Sequence, residues 1–548
     1  MKKIFLLLAM LVAVPAAMQA QEVYKFWVKL HDKEGSAYSL DNPAEFLGPR
    51  AMERRQRQRI VVDSLDLPVS NTYLQRLRQA GFMVQNRTKW LNGVTLFAVD
   101  SSLAEVLDTL SFVDTVIYCE KSTVEAPERV VPGRGLPYEP VPFESVYDSA
   151  YYNYAYPQIA QLGGMELHRK GFRGEGIVIG VCDGGFSGAD TIRLFDSMRY
   201  EGRLLATRDF VWSGDQVFSN EGHGTSVLSL MASKLPGFFV GTAPQAGYVL
   251  CRTECPTNET ILEEYNWISA AEYLDSLGAD IITTSLGYFH FDDSTQDHTL
   301  ADLNGRTAPM TVGADIAVSR GMLVLNAAGN NGSEGPGRLN SPADAARILT
   351  VGAVNIDSSW ASFSSHGPTA DLRLKPDVMA LGSNVYCSNA MGALAVSNGT
   401  SLSTPIMAGM MACLWQRYPR LTLANLCDSA RAWGHLATCP DIHSGYGIPN
   451  FARAFPQDIV LESITAETSH TKFVVFPNPC HDRVNLELSA STLVCGTVVL
   501  HDMLGRKVLS LPLSSPRMQL CLGQLPRGIY LLTLISTTAS HTLRIRVQ

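Results

Sequence analysis

Apolar and polar residues alternate over residues 24–30, whereas residues 43–59 and 70–79 repeat at helical spacing. Two further runs, 93–99 and 113–118, read as strands, so the pattern predicts a small α+β unit over residues 21–120. From 121 to 156 the core pattern stops. Pro127, Pro132, Pro137, Pro140 and Pro142 lie there among tyrosines and acidic residues, which predicts a linker. Between 157 and 458 the strands change character and become continuously apolar, at 177–182, 248–251, 281–285, 322–327 and 348–354. Helix-like runs such as 260–277 separate them. Strands apolar on both faces need cover on both faces, so this region predicts an α/β fold with a parallel sheet between helices. Past 459 the runs shorten again, at 472–476, 484–488, 497–500, 507–511, 528–535 and 541–547, and predict an antiparallel, β-sandwich-like module over 459–548.

A chain of 548 residues exceeds one ordinary core, in keeping with these divisions. A formal net charge of -8 gives nucleic acid no electrostatic hold, so no nucleic-acid partner is expected. The one basic run, from Arg50 to Arg59, alternates with Glu53 and glutamines and reads as the solvated face of a helix. At the N-terminus Lys2 and Lys3 precede an apolar run over 4–14, followed by Pro15, Ala16, Ala17 and Ala20. That order is an export signal over residues 1–20, with cleavage expected after Ala20. The apolar run is too short to span a bilayer. Export permits disulfides, but eleven cysteines cannot all pair with one another. Cys182 sits in an apolar strand as a small buried hydrophobe. Cys427 and Cys439 form a candidate disulfide, and no Cys or His cluster has zinc spacing.

Four residues carry the chemistry: Asp183, His223, Asn330 and Ser401. A serine hydroxyl is a weak nucleophile until a base takes its proton, and that base needs a carboxylate to orient it. Ser401 stands where an apolar helical stretch begins, just after Gly399, whose lack of Cβ permits a tight turn. His223 lies between Gly222 and Gly224 ahead of a helix-like run. Asp183 closes a buried strand before Gly184 and Gly185. Asn330, after another apolar strand, offers an amide that can donate to a developing oxyanion. Taken singly, each has a bland reading as a turn, cap or core residue. Their joint order changes that.

The segments Val181-Cys182-Asp183-Gly184, Gly222-His223-Gly224-Thr225-Ser226, Ala328-Gly329-Asn330 and Gly399-Thr400-Ser401 resemble the catalytic segments of the subtilisin-like serine peptidases, the S8 family or subtilases. The resemblance implies a Ser-His-Asp triad acting through an acyl-enzyme, with Asn330 as oxyanion donor. It also implies that Ser285, Leu286 and Gly287 pair with an extended substrate, and that Ala327, Ala328 and Gly329 wall a pocket. No cofactor is required for catalysis. Calcium stabilises many relatives, but no acidic cluster here shows regular ligand spacing. Gly184-Gly185-Phe186, Ser226 and Leu402-Ser403 depart from the commoner family residues without removing a catalytic group, so they bear on pocket shape.

Asp66-Leu67-Pro68-Val69-Ser70 and Lys89-Trp90-Leu91-Asn92-Gly93-Val94 resemble the propeptide of Bacteroidetes subtilases, which implies a folding assistant and inhibitor cut off within 121–156. Phe476-Pro477-Asn478-Pro479, the stretch 498–506 and Leu525-Pro526-Arg527-Gly528-Ile529-Tyr530 resemble the type IX secretion sorting domain. That implies the type IX machinery as partner and release from, or attachment to, the outer cell surface. The expectation is a secreted serine endopeptidase of peptides or proteins. A narrow maturation peptidase for surface proteins and an inert adhesive protein on the same fold stay open as alternatives.

Overall fold

The computed structural model describes residues 21–124, 147–219, 221–455, 473–488, 496–502, 506–513, 515, 517–523, 525–536 and 540–548. Every side chain of Val178–Asp183, Ile281–Thr284, Leu323–Ala327, Leu349–Val354 and Val378–Leu381 is buried. Strands of that composition can only lie inside a sheet covered twice. Edge to edge the sheet runs Val378–Leu381, Leu349–Val354, Leu323–Ala327, Ile281–Thr284, Val178–Asp183, Gly247–Arg252 and Leu204–Asp209. All neighbours are parallel. Helices His223–Ala232 and Thr400–Arg417 pack on one face, where Leu228 and Ile406 join Ile179 and Val181. Helices Leu262–Leu277 and Pro309–Ser319 cover the other, where Tyr265 and Ala314 join Val178 and Ile282.

The two edge strands escaped the sequence pattern. Leu204–Asp209 is half-exposed and Val378–Leu381 only four residues long, so neither makes a long apolar run. The expected linker also ends early. Tyr151, Tyr152 and Ala155 are buried in the main core, so the packed body already includes residues placed before 157. Residues 125–146, residues 1–20, where an export signal is expected, and the stretch 456–472 lie outside the described residues. Among the described residues, no helix is long and apolar enough to cross a membrane.

The N-terminal unit is a four-stranded antiparallel sheet, ordered Met83–Thr88, Gly93–Ala98, Gln21–Leu30, Val113–Val124. Helices Pro49–Gln58 and Asn71–Gln79 are both present where helical spacing predicted them. Ser70 caps the second, its hydroxyl accepting from the Tyr73 N–H. The solvated reading of the basic run is corrected here. Arg54 and Arg55 are each 1% exposed and meet buried Asp275 on the helix Leu262–Leu277. Charge periodicity cannot tell a solvated face from one that fits a charged partner surface.

The C-terminal module pairs a three-stranded and a four-stranded antiparallel sheet. Val484, Leu486 and Leu520 of the first share a core with Val498, Leu500, Leu532 and Ile545 of the second, which makes a two-layer sandwich. The Cys427–Cys439 disulfide does not form, because Cys427 is a buried free thiol. Burial pushes that thiol up to about 12, so it stays protonated and inert at neutral pH.

Candidate active site

Asp183 ends its strand fully buried, with Oδ1 accepting from His223 Nδ1 at 2.8 Å and from the Gly184 N–H at 2.9 Å. Gly224 makes that approach feasible. A Cβ there would lie 2.4 Å from the Gly185 carbonyl oxygen and 3.0 Å from Asp183 Cβ, so only glycine lets the His223–Ala232 helix start so close to the carboxylate. An ionised carboxylate only accepts, so Nδ1 carries the proton and Nε2 faces outward. Among the described residues, Nε2 has no hydrogen-bond partner, and His223 and Ser401 are not directly bonded in this structure.

Ser401 occupies the second position of the helix Thr400–Arg417. Its carbonyl accepts from the Ser285 hydroxyl at 2.7 Å, which ties the helix start to the end of the Ile281–Thr284 strand. Gly399, at φ 152°, turns the chain into this helix. A Cβ on Gly399 would lie 2.8 Å from Ser401 Oγ and 3.7 Å from Asn330 Nδ2, so hydroxyl and amide border one small space. The amide is oriented by Thr400, whose N–H and hydroxyl both donate to Asn330 Oδ1, at 3.0 and 3.1 Å. That leaves Nδ2 as a donor turned toward the hydroxyl side.

Sheet pairing of the central strand stops at Thr284, so Ser285, Leu286 and Gly287 continue beyond the ladder. The Leu286 and Gly287 carbonyls accept from Asn326 and Asn340 side chains, at 3.2 and 3.0 Å, which stiffens this edge. Gly329, at φ 107°, donates its N–H to Thr400 Oγ1. Ala328 departs from its expected role as pocket wall. It is fully buried among Phe289, Leu303, Leu339 and Ala343, and its N–H and carbonyl are bonded to Val351 and Asn340. Ala327 is 4% exposed and likewise offers little surface. The departures from family residues prove to be packing choices. Phe186 and Leu402 lie in the core, and the Ser226 hydroxyl donates to the Ser388 carbonyl at 2.8 Å.

Two carboxylates beside the histidine went unseen in the sequence. Glu221 accepts from the His223 N–H at 3.1 Å. A Cβ on Gly184 would lie 2.9 Å from Glu221 Oε2 and 3.2 Å from Glu254 Oε1, which explains glycine at that position. Among the described residues, Asp183, Glu221 and His223 are the one group of three potential metal-ligating side chains within 4.8 Å. Asp183 and His223 are already bonded to each other there.

The Asp183 carboxylate, more than burial opposes it, raises His223 to about 9, with Glu221 and Glu254 adding to the effect. A histidine acting as base must be neutral. Any reaction that uses His223 as base should therefore speed up as pH rises from the ordinary histidine range near 6.5 toward about 9, and Asp183→Asn should move that limb down; a rate profile against pH reads both. The stability link has the opposite sense. A raised folded pKa gives stabilisation that is complete below about pH 6.5 and is lost as pH passes through about 9.

A buried carboxylate aligning a histidine, with a serine at a helix start and a free amide beside it, equips a site for nucleophilic attack on a carbonyl. Residues 174–432 match the subtilase family, 25–130 the S8 propeptide domain of Bacteroidota, and 474–548 the secretion system C-terminal sorting domain. The chain is 31% identical to a subtilisin of Bacillus pumilus over 274 residues, which are 49% of this chain and 88% of that protein. It is equally similar to subtilisin E of Bacillus subtilis (strain 168), spanning 63% of its length. The chain belongs to the subtilase family. Its fold is also that of an epidermin leader peptide processing serine protease from Staphylococcus aureus, with a TM-score of 0.52 at 13% identity over 82% of this chain and 100% of that one. The sorting domain marks an exported protein, secreted or held at the cell surface.

Proposed function

We propose that this protein is a serine endopeptidase made as a precursor, with Ser401 as nucleophile, His223 as base and then acid, Asp183 as orienter and Asn330 as oxyanion donor. The observation that carries this is the 2.8 Å Asp183–His223 bond on the same side of the sheet as the helix start that presents Ser401. An extended peptide lies along Ser285–Gly287, and Ser401 Oγ attacks its carbonyl while His223 Nε2 takes the proton. The leaving amine receives that proton, and water activated by His223 then releases the acyl group. No cofactor enters these steps. Closure of His223 onto Ser401 accompanies substrate binding, as hydrogen bonds of this kind are often loose in unliganded sites.

Under this reading the N-terminal unit is an inhibitory propeptide released by cleavage within 121–156, and the type IX machinery exports the chain. The matches to a propeptide domain and to a sorting domain support this reading. A fluorophosphonate probe should label the purified protein at Ser401 and block casein hydrolysis. A protein that neither labels nor cleaves would be the inert adhesive alternative. Asn330→Ala should cut kcat by roughly 10²–10³-fold with little change in KM, since its amide meets charge only in the transition state; the size is that known for the matching subtilisin donor. A fall confined to KM would remove Asn330 from that role.

A further inference from the structure

Beside the Asp183–His223 pair lies a cavity of about 240 Å³ whose charged lining is entirely acidic: Glu254, Glu259, Glu263 and Asp292. It is graded in depth. Glu263 at its base is 3% exposed, Glu254 is half-buried, and Glu259 and Asp292 form the exposed rim. Glu263 Oε1 accepts from the Cys255 N–H at 2.6 Å, but its Oε2 has no partner. A carboxylate oxygen buried to that extent without a donor is costly and calls for one. None of the four acids has an ion-pair partner within 4 Å among the described residues.

The cavity reaches the proposed substrate path on two sides. Glu254 Oε1 faces Gly184, next to Asp183, and Glu254 Oε2 accepts from the Tyr288 hydroxyl at 3.5 Å, directly after the Ser285–Gly287 edge. We propose that this cavity is a specificity pocket that takes an arginine or lysine side chain of the peptide, near the scissile bond. The inference rests on the peptidase reading and names its substrate class.

The distribution of the acids favours a long side-chain cation over a metal ion. Calcium gathers six to eight oxygens around one point. The four acids here do not form a group of three within 4.8 Å, so they line a path from rim to base. A guanidinium or ammonium on an extended stem fits such a path, with the rim acids drawing it in and Glu263 Oε2 accepting at the end. Burial holds both Glu254 and Glu263 above the usual carboxylate range, with Asp183 and Glu259 repelling Glu254 and Glu254 repelling Glu263, the state that an arriving cation relieves.

The test is a peptide series in which arginine, lysine or alanine is moved through each position around one scissile bond, with kcat/KM measured on the wild-type protein. Binding of the same peptides is followed by fluorescence anisotropy on the full-length chain carrying Ser401→Ala together with Asp275→Ala, which loosens the buried ion pairs that hold the N-terminal unit against the rest. Arginine or lysine at one position should be favoured over alanine roughly tenfold or more, and high salt should shrink that ratio. Glu263→Gln and, separately, Glu254→Gln should bring the ratio toward one. Equal handling of arginine and alanine at every position, in hydrolysis and in binding, overturns the proposal. Calcium that raises Tm in wild type but not in Glu263→Gln, without any arginine preference, overturns it in favour of a metal site. Loss of the peptidase reading looks different: no peptide is cut, while the binding preference is still measurable.

Discussion

Ser401→Ala should lower kcat on any peptide by roughly 10⁴-fold or more while leaving the fold intact. The two halves of this expectation come from different features. The hydroxyl makes no hydrogen bond within the described structure, so removing it leaves no partner stranded. Its residue is held by the helix Thr400–Arg417 and by the Ser285 hydroxyl on its carbonyl, neither of which needs Oγ. The stability change should therefore stay within about 0.5 kcal/mol, measurable as a nearly unchanged urea midpoint. Catalysis has no substitute for Oγ, because the nearby amide of Asn330 stabilises charge but cannot attack.

Adding His223→Ala to Ser401→Ala should cost almost nothing further, since the two groups act as one unit and the first loss already removes it. A double variant slower than Ser401→Ala by another 10³-fold would mean that His223 works independently of the serine. The triad reading would then fail even though the Asp183–His223 bond is present.

How far the sequence could be read differed between the sheet centre, the site and the interfaces. Central strands such as Ile281–Thr284 are apolar on both faces and announce themselves. Edge strand Leu204–Asp209 does not, because a half-exposed strand shares its composition with loops. Within the site, Asp183, His223, Asn330 and Ser401 were legible because glycines crowd around them, and Gly224 and Gly399 prove to be close-approach positions. Ala328 was misplaced because a motif marks a segment and not which way each side chain points. Glu221 directly precedes the Gly222–Ser226 motif but is no part of the pattern that marks it, whereas Glu254 stands far off in sequence, and only the parallel pairing of Val178–Asp183 with Gly247–Arg252 brings Glu254 to Gly184. The run Glu254, Glu259, Glu263, Glu264 did carry a signal: four acids with no intervening base, two ahead of the buried helix Leu262–Leu277 and two in its first turn.

The basic run is the clearest case of information that needs three dimensions, and it sets the second large expectation. Asp275→Ala should weaken the hold of the N-terminal unit on the subtilase-family body by about 3–5 kcal/mol. Asp275 is fully buried and accepts from Arg54, from Arg55 at 2.9 Å through both oxygens, and from Lys89 at 3.2 Å. Burial alone would raise this carboxyl, but Lys89, Arg54 and Arg55 outweigh it and hold it below the usual range. Taking the carboxylate away leaves buried cations at one interface, with Arg55 retaining only Asp66. The stacked Trp27–Tyr265 pair, 4.2 Å between centroids, cannot compensate because it already contributes in both proteins. The variant precursor should show an earlier urea transition and faster proteolysis of residues 21–124 than wild type. The cause is separable from simple damage to the helix Leu262–Leu277. If stranded charge is responsible, replacing Arg54, Arg55, Lys89 and Asp275 together by apolar residues of similar length should restore much of the loss. If that combined variant is worse than Asp275→Ala alone, the cations are not the penalty, and the interface depends on Asp275 through the helix it belongs to.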